Sequence, residues 1–143
     1  MSFQVSAELQ GAVYRALRDS EALAALVGDA IYDALPLSPP AGTHVAIGPE
    51  DVADAGDMTG GGARHDFTVS ILSGAEDTGG FAPVKAVAAA VVAALEDGAL
   101  ALGDGHLVGL WFLRARARRA GVGAGRRVDL VFRARIDLGL KVA

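Results

Sequence analysis

Hydrophobic positions recur along this chain with two distinct periods, and the switch between them marks out its elements. Leu9, Val13 and Leu17 stand four apart, with the charged Glu8, Arg15 and Arg18 off that stripe. This spacing lines one face of a helix, so residues 6–18 are read as an amphipathic helix with Ser6 as its N-cap. A second short helix is expected from Ser20 through Leu23, Leu26 and Val27 to Gly28, a residue able to take the left-handed conformation that ends helices. Between 80 and 97, Phe81, Val84, Val87, Ala88, Val91, Val92 and Leu95 repeat at three and four, which predicts a helix closed by Gly98. Its other face is nearly all alanine, with Ala86, Ala89, Ala90 and Ala93. Alanine there permits close approach of a second surface, and helix propensity alone explains it equally well.

Elsewhere the period is two. Ile31 to Leu35 and Thr43 to Ile47 are short β-prone runs separated by Pro36, Pro39 and Pro40, so they predict two strands and a rigid turn. Phe67, Val69 and Ile71 alternate with Thr68 and Ser70, predicting a strand over Arg64 to Ser73 with one buried face. In the last third, Val128, Leu130, Phe132, Ala134, Ile136 and Leu138 alternate with Arg127, Asp129, Val131, Arg133, Arg135 and Asp137. Upstream, Leu113, Ala115 and Ala117 alternate with Arg114, Arg116 and Arg118, and Gly121 to Gly125 lie between the two runs. The pattern is a long antiparallel hairpin. Setting Arg118 opposite Arg127 and Arg116 opposite Asp129 puts both apolar sets on one face. The expected fold is α+β: an antiparallel-rich sheet of four to five strands, packed against an N-terminal helical unit and one Ala-rich helix, in a single domain over 1–143.

One stretch has neither period. Gly48 to Ala63 holds four acids (Glu50, Asp51, Asp54 and Asp57), no base, and the run Gly60, Gly61, Gly62. It is read as a mobile loop that orders on a partner, against the plainer reading of a solvated insertion.

Composition narrows the chemistry. The 143 residues include no cysteine, which removes disulfides, thiolate catalysis and Cys-based zinc sites and is neutral about compartment. No apolar run reaches the length of about 20 residues that spans a bilayer. Met1 to Glu8 carries no positive cluster ahead of an apolar run, so assembly inside the cell is expected rather than secretion. The net charge of -4 conceals an asymmetry: residues 1–104 hold 15 acids and 4 bases, whereas 105–143 hold 2 acids and 9 bases. Such a split suits either an anionic polymer or complementary faces on copies of one chain.

No catalytic constellation emerges. Gly121, Gly123 and Gly125 lack the G-x-G-x-x-G spacing and precede a strand rather than a helix. His44, His65 and His106 are far apart, and Asp51, Asp54 and Asp57 lack the spacing of a calcium loop, so no metal is expected. No serine occupies a G-x-S-x-G elbow, and His65 and Asp66, as neighbours in a strand, point to opposite faces. Neither an enzyme nor a cofactor is expected. The unusual feature is the arginine face of the hairpin: Arg114, Arg116, Arg118, Arg127, Arg133 and Arg135. Like charges opposite or diagonal on a sheet repel, so this face calls for anions, either phosphates or another copy's carboxylates, unless it is simply solvated.

In its order of motifs the chain resembles the tail terminator (tail completion) proteins of long-tailed phages and gene transfer agents. The marks are the opening amphipathic helix, then Ala22-Leu23-Ala24-Ala25-Leu26-Val27-Gly28 and Ile31-Tyr32-Asp33-Ala34-Leu35-Pro36. Val45-Ala46-Ile47-Gly48, the acidic loop, the strand from Phe67 to Ser73, the Ala-rich helix and the terminal hairpin follow. Where the family usually has Pro-Tyr before its second strand, Ala41-Gly42-Thr43-His44 stand here. The resemblance implies a structural virion protein without catalytic residues, forming a ring, generally of six subunits, in the neck of a phage or gene transfer agent. That ring ends polymerisation of the tail tube protein and docks to the head completion (stopper) protein, and DNA crosses its lumen without sequence-specific binding. No membrane is involved. On this reading the six arginines are candidates for a subunit interface or the lumen, and Glu50, Asp51, Asp54 and Asp57 for partner docking. The alternatives are a nucleic-acid-binding module built on the arginine hairpin, or another neck or head completion protein.

Overall fold

The computed structural model describes residues 5–34, 36–55, 60–77, 80–97, 100, 102, 105–119 and 125–140. Three helices, α1 (Ser6–Arg18), α2 (Glu21–Val27) and α3 (Ala82–Asp97), lie on one face of a five-stranded sheet. Its strands are β1 (Ile31–Tyr32), β2 (His44–Asp54), β3 (Gly60–Leu72), β4 (His106–Arg119) and β5 (Arg126–Leu140), in the spatial order β1-β2-β3-β5-β4. Only the β1–β2 pairing is parallel, so the chain is an α+β fold with a mostly antiparallel sheet and a long terminal hairpin.

The helices follow from their stripes. Leu9, Val13 and Leu17 of α1 and Val84, Val87, Val91 and Leu95 of α3 are all buried against Val45, Ile47, Phe67, Val69, Ile71, Val128, Leu130 and Phe132 of the sheet. Those strand residues share one face because they fall at alternate positions in matched register. Phe132 stacks on Phe67 at 5.5 Å between centroids and meets Phe112 at 5.8 Å, tying three strands together at the centre. Ser20 caps α2, its Oγ accepting from Leu23 N–H at 3.2 Å, and Gly28 ends it with φ of 63°. The cap of α1 is Val5 and makes no side-chain bond; Ser6 lies inside the helix and donates its Oγ–H to Glu50 instead. Gly98 and Gly121 to Ala124 lie outside the described residues.

The hairpin register is the one expected, with Arg116 opposite Asp129 and Arg118 opposite Arg127. A bulge at Leu113 interrupts the simple alternation, so that Phe112 rather than Leu113 stands opposite Phe132. The proline-rich segment after β1 is a crossover rather than a hairpin turn, since β1 runs parallel to β2.

The acidic segment is the main correction. Instead of a loop over Gly48 to Ala63, β2 continues to Asp54 and β3 begins at Gly60, pairing Glu50 with Phe67, Asp51 with Asp66 and Asp54 with Ala63. A bulge between Ile47 and Glu50 absorbs Gly48 and Pro49, and past Ala46 no described strand pairs with the outer side of β2, so the missing N–H of Pro49 costs no ladder bond. The glycine run is part of the ladder too. A Cβ on Gly62 would come within 3.0 Å of Ile136 O, so glycine permits the close approach of β3 to β5.

Candidate functional site

The face of the sheet away from the helices collects the charged half of the hairpin alternation. Arg114, Arg116 and Arg118 on β4 stand opposite Val131, Asp129 and Arg127 on β5. With Thr68 and Pro49 they line a pocket of about 320 Å³. Four guanidinium groups thus converge around a single carboxylate.

That carboxylate is already engaged. Asp129 Oδ1 accepts from Ser70 Oγ at 2.6 Å and Arg127 Nε at 2.8 Å, while Oδ2 accepts from Arg118 Nη2 at 3.2 Å. Arg127 also donates to Ser70 Oγ at 3.2 Å. Burial pushes the Asp129 carboxyl upward, and the bonds from Ser70 and Arg127 outweigh it, leaving it below the ordinary carboxylate range. Arg133 forks onto Asp66 at 2.8 and 3.1 Å; this hydrogen bonding holds Asp66 low and raises Arg133. Arg135 donates to Ala55 O and lies 3.5 Å from Asp137.

The six candidate arginines therefore separate into two groups. Arg118, Arg127, Arg133 and Arg135 have partners within the chain. Among the described residues Arg114 and Arg116 have no hydrogen bond or ion pair, although the charge of Arg114 helps to hold the Asp66 carboxyl low. The expectation that all six call for outside anions is corrected accordingly: Asp66, Asp129 and Asp137, spaced along neighbouring strands, neutralise much of the face.

The acidic candidates also part company. Asp51, on the arginine face opposite Asp66, is exposed, as is Asp54. Asp57 lies outside the described residues. Glu50 turns to the helix side, accepting from Ser6 Oγ–H through Oε1 and lying 3.3 Å from His65 Nδ1 through Oε2. Burial raises its pKa, and the bonds from His65 and Ser6 bring it below the usual value. His65 is wholly buried and its Nε2 has no partner, so the tautomer that strands no N–H carries its proton on Nδ1. Serine, glutamate and histidine meet here in the wrong order for nucleophilic catalysis: the hydroxyl rests on the carboxylate, and the imidazole has no serine to deprotonate. The trio instead anchors α1 to β2 and β3. Separated by 44 positions, Ser6 and Glu50 gave no signal in sequence.

Further surfaces bear on assembly. Val108, Trp111, Phe112 and Leu113 on β4 are exposed, and β4 is an outer strand of the sheet. Among the described residues no three His, Asp or Glu side chains come together as a metal site, and no helix is long and apolar enough to cross a membrane.

A mostly antiparallel sheet covered by helices on one face and carrying arginines on the other defines an α+β protein. The chain belongs to the Tail completion protein gp17 family, whose model matches residues 11–137. Among solved structures it is similar to a chain of the "Virion of native gene transfer agent (GTA) particle", at 57% identity and a TM-score of 0.86, covering 95% of this chain and 99% of that one. No curated protein matches significantly. Family membership makes this a structural tail protein of phage-like virions.

Proposed function

We propose that the chain is a tail terminator, forming a ring, of six subunits as the family resemblance implies, that caps the tail tube, stops its polymerisation and joins the tail to the head completion (stopper) protein. The gene transfer agent chain at 57% identity supports a particle of that kind, since it is matched across nearly its whole length. The observation that carries the ring is the sorting of charge within one fold. The hairpin presents Arg114 and Arg116 without a hydrogen bond or ion pair among the described residues, while residues 1–104 carry 15 acids against 4 bases. A heterologous ring joins different surfaces of identical subunits, and unlike charge on those surfaces favours it. Asp51 and Asp54 remain candidates for docking tube or stopper, and DNA crosses the lumen without sequence-specific contacts. The protein is not an enzyme on this reading, and assembly takes place in the bacterial cytoplasm.

Exposed Trp111, with a side chain able to stack on a base, favours nucleic acid as the second reading for the arginine pocket. Replacing Arg114→Glu together with Arg116→Glu discriminates the two, because neither side chain supports the fold through a bond within the chain. The expected result is weakened ring formation in light scattering and micrographs, with duplex DNA binding weak before and after. Unchanged rings with loss of submicromolar DNA binding would assign the pocket to nucleic acid instead.

A further inference from the structure

The two lateral ends of the sheet differ in a way that neither the family nor the arginine pocket explains. At the β1 end, exposed Asp29 and Asp33 flank the strand, and Asp19 and Glu21 lie on the α1–α2 segment just before it. None of the four carboxylates has a described side-chain partner. The chain then runs through Pro36, Leu37, Ser38, Pro39 and Pro40, where Leu37 is 106% exposed. Proline fixes φ, so this loop holds its leucine outward at little further entropic cost on binding. A lone exposed leucine by itself carries no meaning.

The opposite end supplies its counterpart. Between α3 and β4 runs an apolar groove of about 290 Å³, with Ala88, Ala89 and Val92 on one wall, Ala115 and Ala117 on the other and Leu130 in its floor. It exists because β4 offers alanine where β5 offers Val128 and Leu130, so the core layer thins before it reaches the outer strand. Lys85 is the one cation in its lining, while Arg114 and Arg116, which alternate with the two alanines, leave β4 on the opposite face of the sheet. The groove is thus apolar with one lysine at its wall, and the β1 end is an apolar knob among carboxylates.

We propose that the Leu37 loop of one copy seats in the α3–β4 groove of the next, with Asp29 and Asp33 set against Lys85. The inference rests on the ring reading and deepens it by naming the two surfaces that meet. β1 and β4 are the outermost strands of the sheet, so the strand that leads into the knob and the strand that walls the groove lie at opposite edges of one subunit. Each copy then uses its β1 end on one neighbour and its β4 end on the other, the head-to-tail arrangement that closes a ring. Symmetric pairing of two β4 edges would instead bring arginine against arginine, an arrangement that costs energy.

The chain has no cysteine, which makes a direct test available. Leu37→Cys plus Ala89→Cys in one chain should, on mild oxidation of assembled rings, give a covalent ladder of multimers. Mixing the two single variants should stop at a cross-linked dimer. Separately, Leu37→Asp should fold normally, with an unchanged thermal midpoint, and require roughly 10–100-fold more protein to assemble, the loss expected for one leucine kept from burial. If wild-type rings form and Leu37→Asp assembles at the same concentration, or the doubly substituted rings give no ladder, the interface is elsewhere. Shielding of the Ala89→Cys thiol by tube protein alone would also overturn it, by giving the groove to that partner. Wild-type protein that stays monomeric, free and in assembled tails, removes the ring reading itself, and the two failures are therefore distinguishable.

Discussion

Asp129 shows how a charged face can be both stable and poised. Its carboxylate takes hydrogen bonds from Ser70, Arg127 and Arg118, so one acid engages two arginines and leaves the cluster one positive charge in excess. Asp66 does the same for Arg133, and Glu50 ties His65 and Ser6 to the core. All three carboxyls are held below their ordinary values, so each is more acidic folded than unfolded. The stability they contribute is complete above the unfolded value of about 4 and is lost as pH falls through their depressed native values. The thermal midpoint should therefore be flat from neutrality to about pH 5 and drop below about pH 4. Asp129→Asn should lower the neutral midpoint and flatten that acid limb. An unchanged acid limb in the variant would mean that Asp129 does not carry the linkage.

At the scale of elements, the β2–β3 hairpin is where local pattern and tertiary pairing part company. Beyond the bulge at Gly48 and Pro49 the strand carries Glu50, Asp51, Val52, Ala53 and Asp54, which lack a clean apolar alternation. It stays extended because β3 hydrogen-bonds it on one side and is itself paired with β5. Backbone pairing sustains a strand without a buried face when a neighbour is already ordered. Ladder-bonded amides between Glu50 and Asp54, together with Ala55, which donates to Gly62 O at 3.0 Å, should exchange with solvent slowly in the isolated protein. Fast, uniform exchange across 48–63 would restore the loop reading. By contrast α1 and α3 were legible in position and buried face, apart from the cap of α1 and the first two residues of α3, because 3.6-residue periodicity needs only the chain's own neighbours to declare itself.

For the whole molecule the governing fact is that acid and base are segregated along the chain, with 9 of its 13 bases in residues 105–143. Exposed ion pairs contribute only about 0–1 kcal/mol each, so no single arginine should decide assembly. Their sum should make ring formation salt-sensitive, the assembly concentration rising steadily as ionic strength climbs from about 0.05 to 0.5 M and screening shortens. Light scattering across that range checks it. Assembly strengthened by salt would show that the apolar knob and groove dominate and that the charges merely steer.

By itself the sequence determined the helices, the alternating strands, the α+β class and even the hairpin pairing of Arg116 with Asp129, since each rests on periodicity and on burial of one face. It also determined that the hairpin would carry a basic face. Only the tertiary structure decided which arginines are spent. Arg133 meets Asp66 across 67 positions and Ser70 meets Asp129 across 59, and no local pattern encodes such partners. The bulges at Leu113 and Gly48 were likewise invisible, because an extra residue is inserted where pairing geometry requires it. So were the two ends of the sheet, because strand order, which puts β1 and β4 farthest apart, is set by which long-range ladders form together.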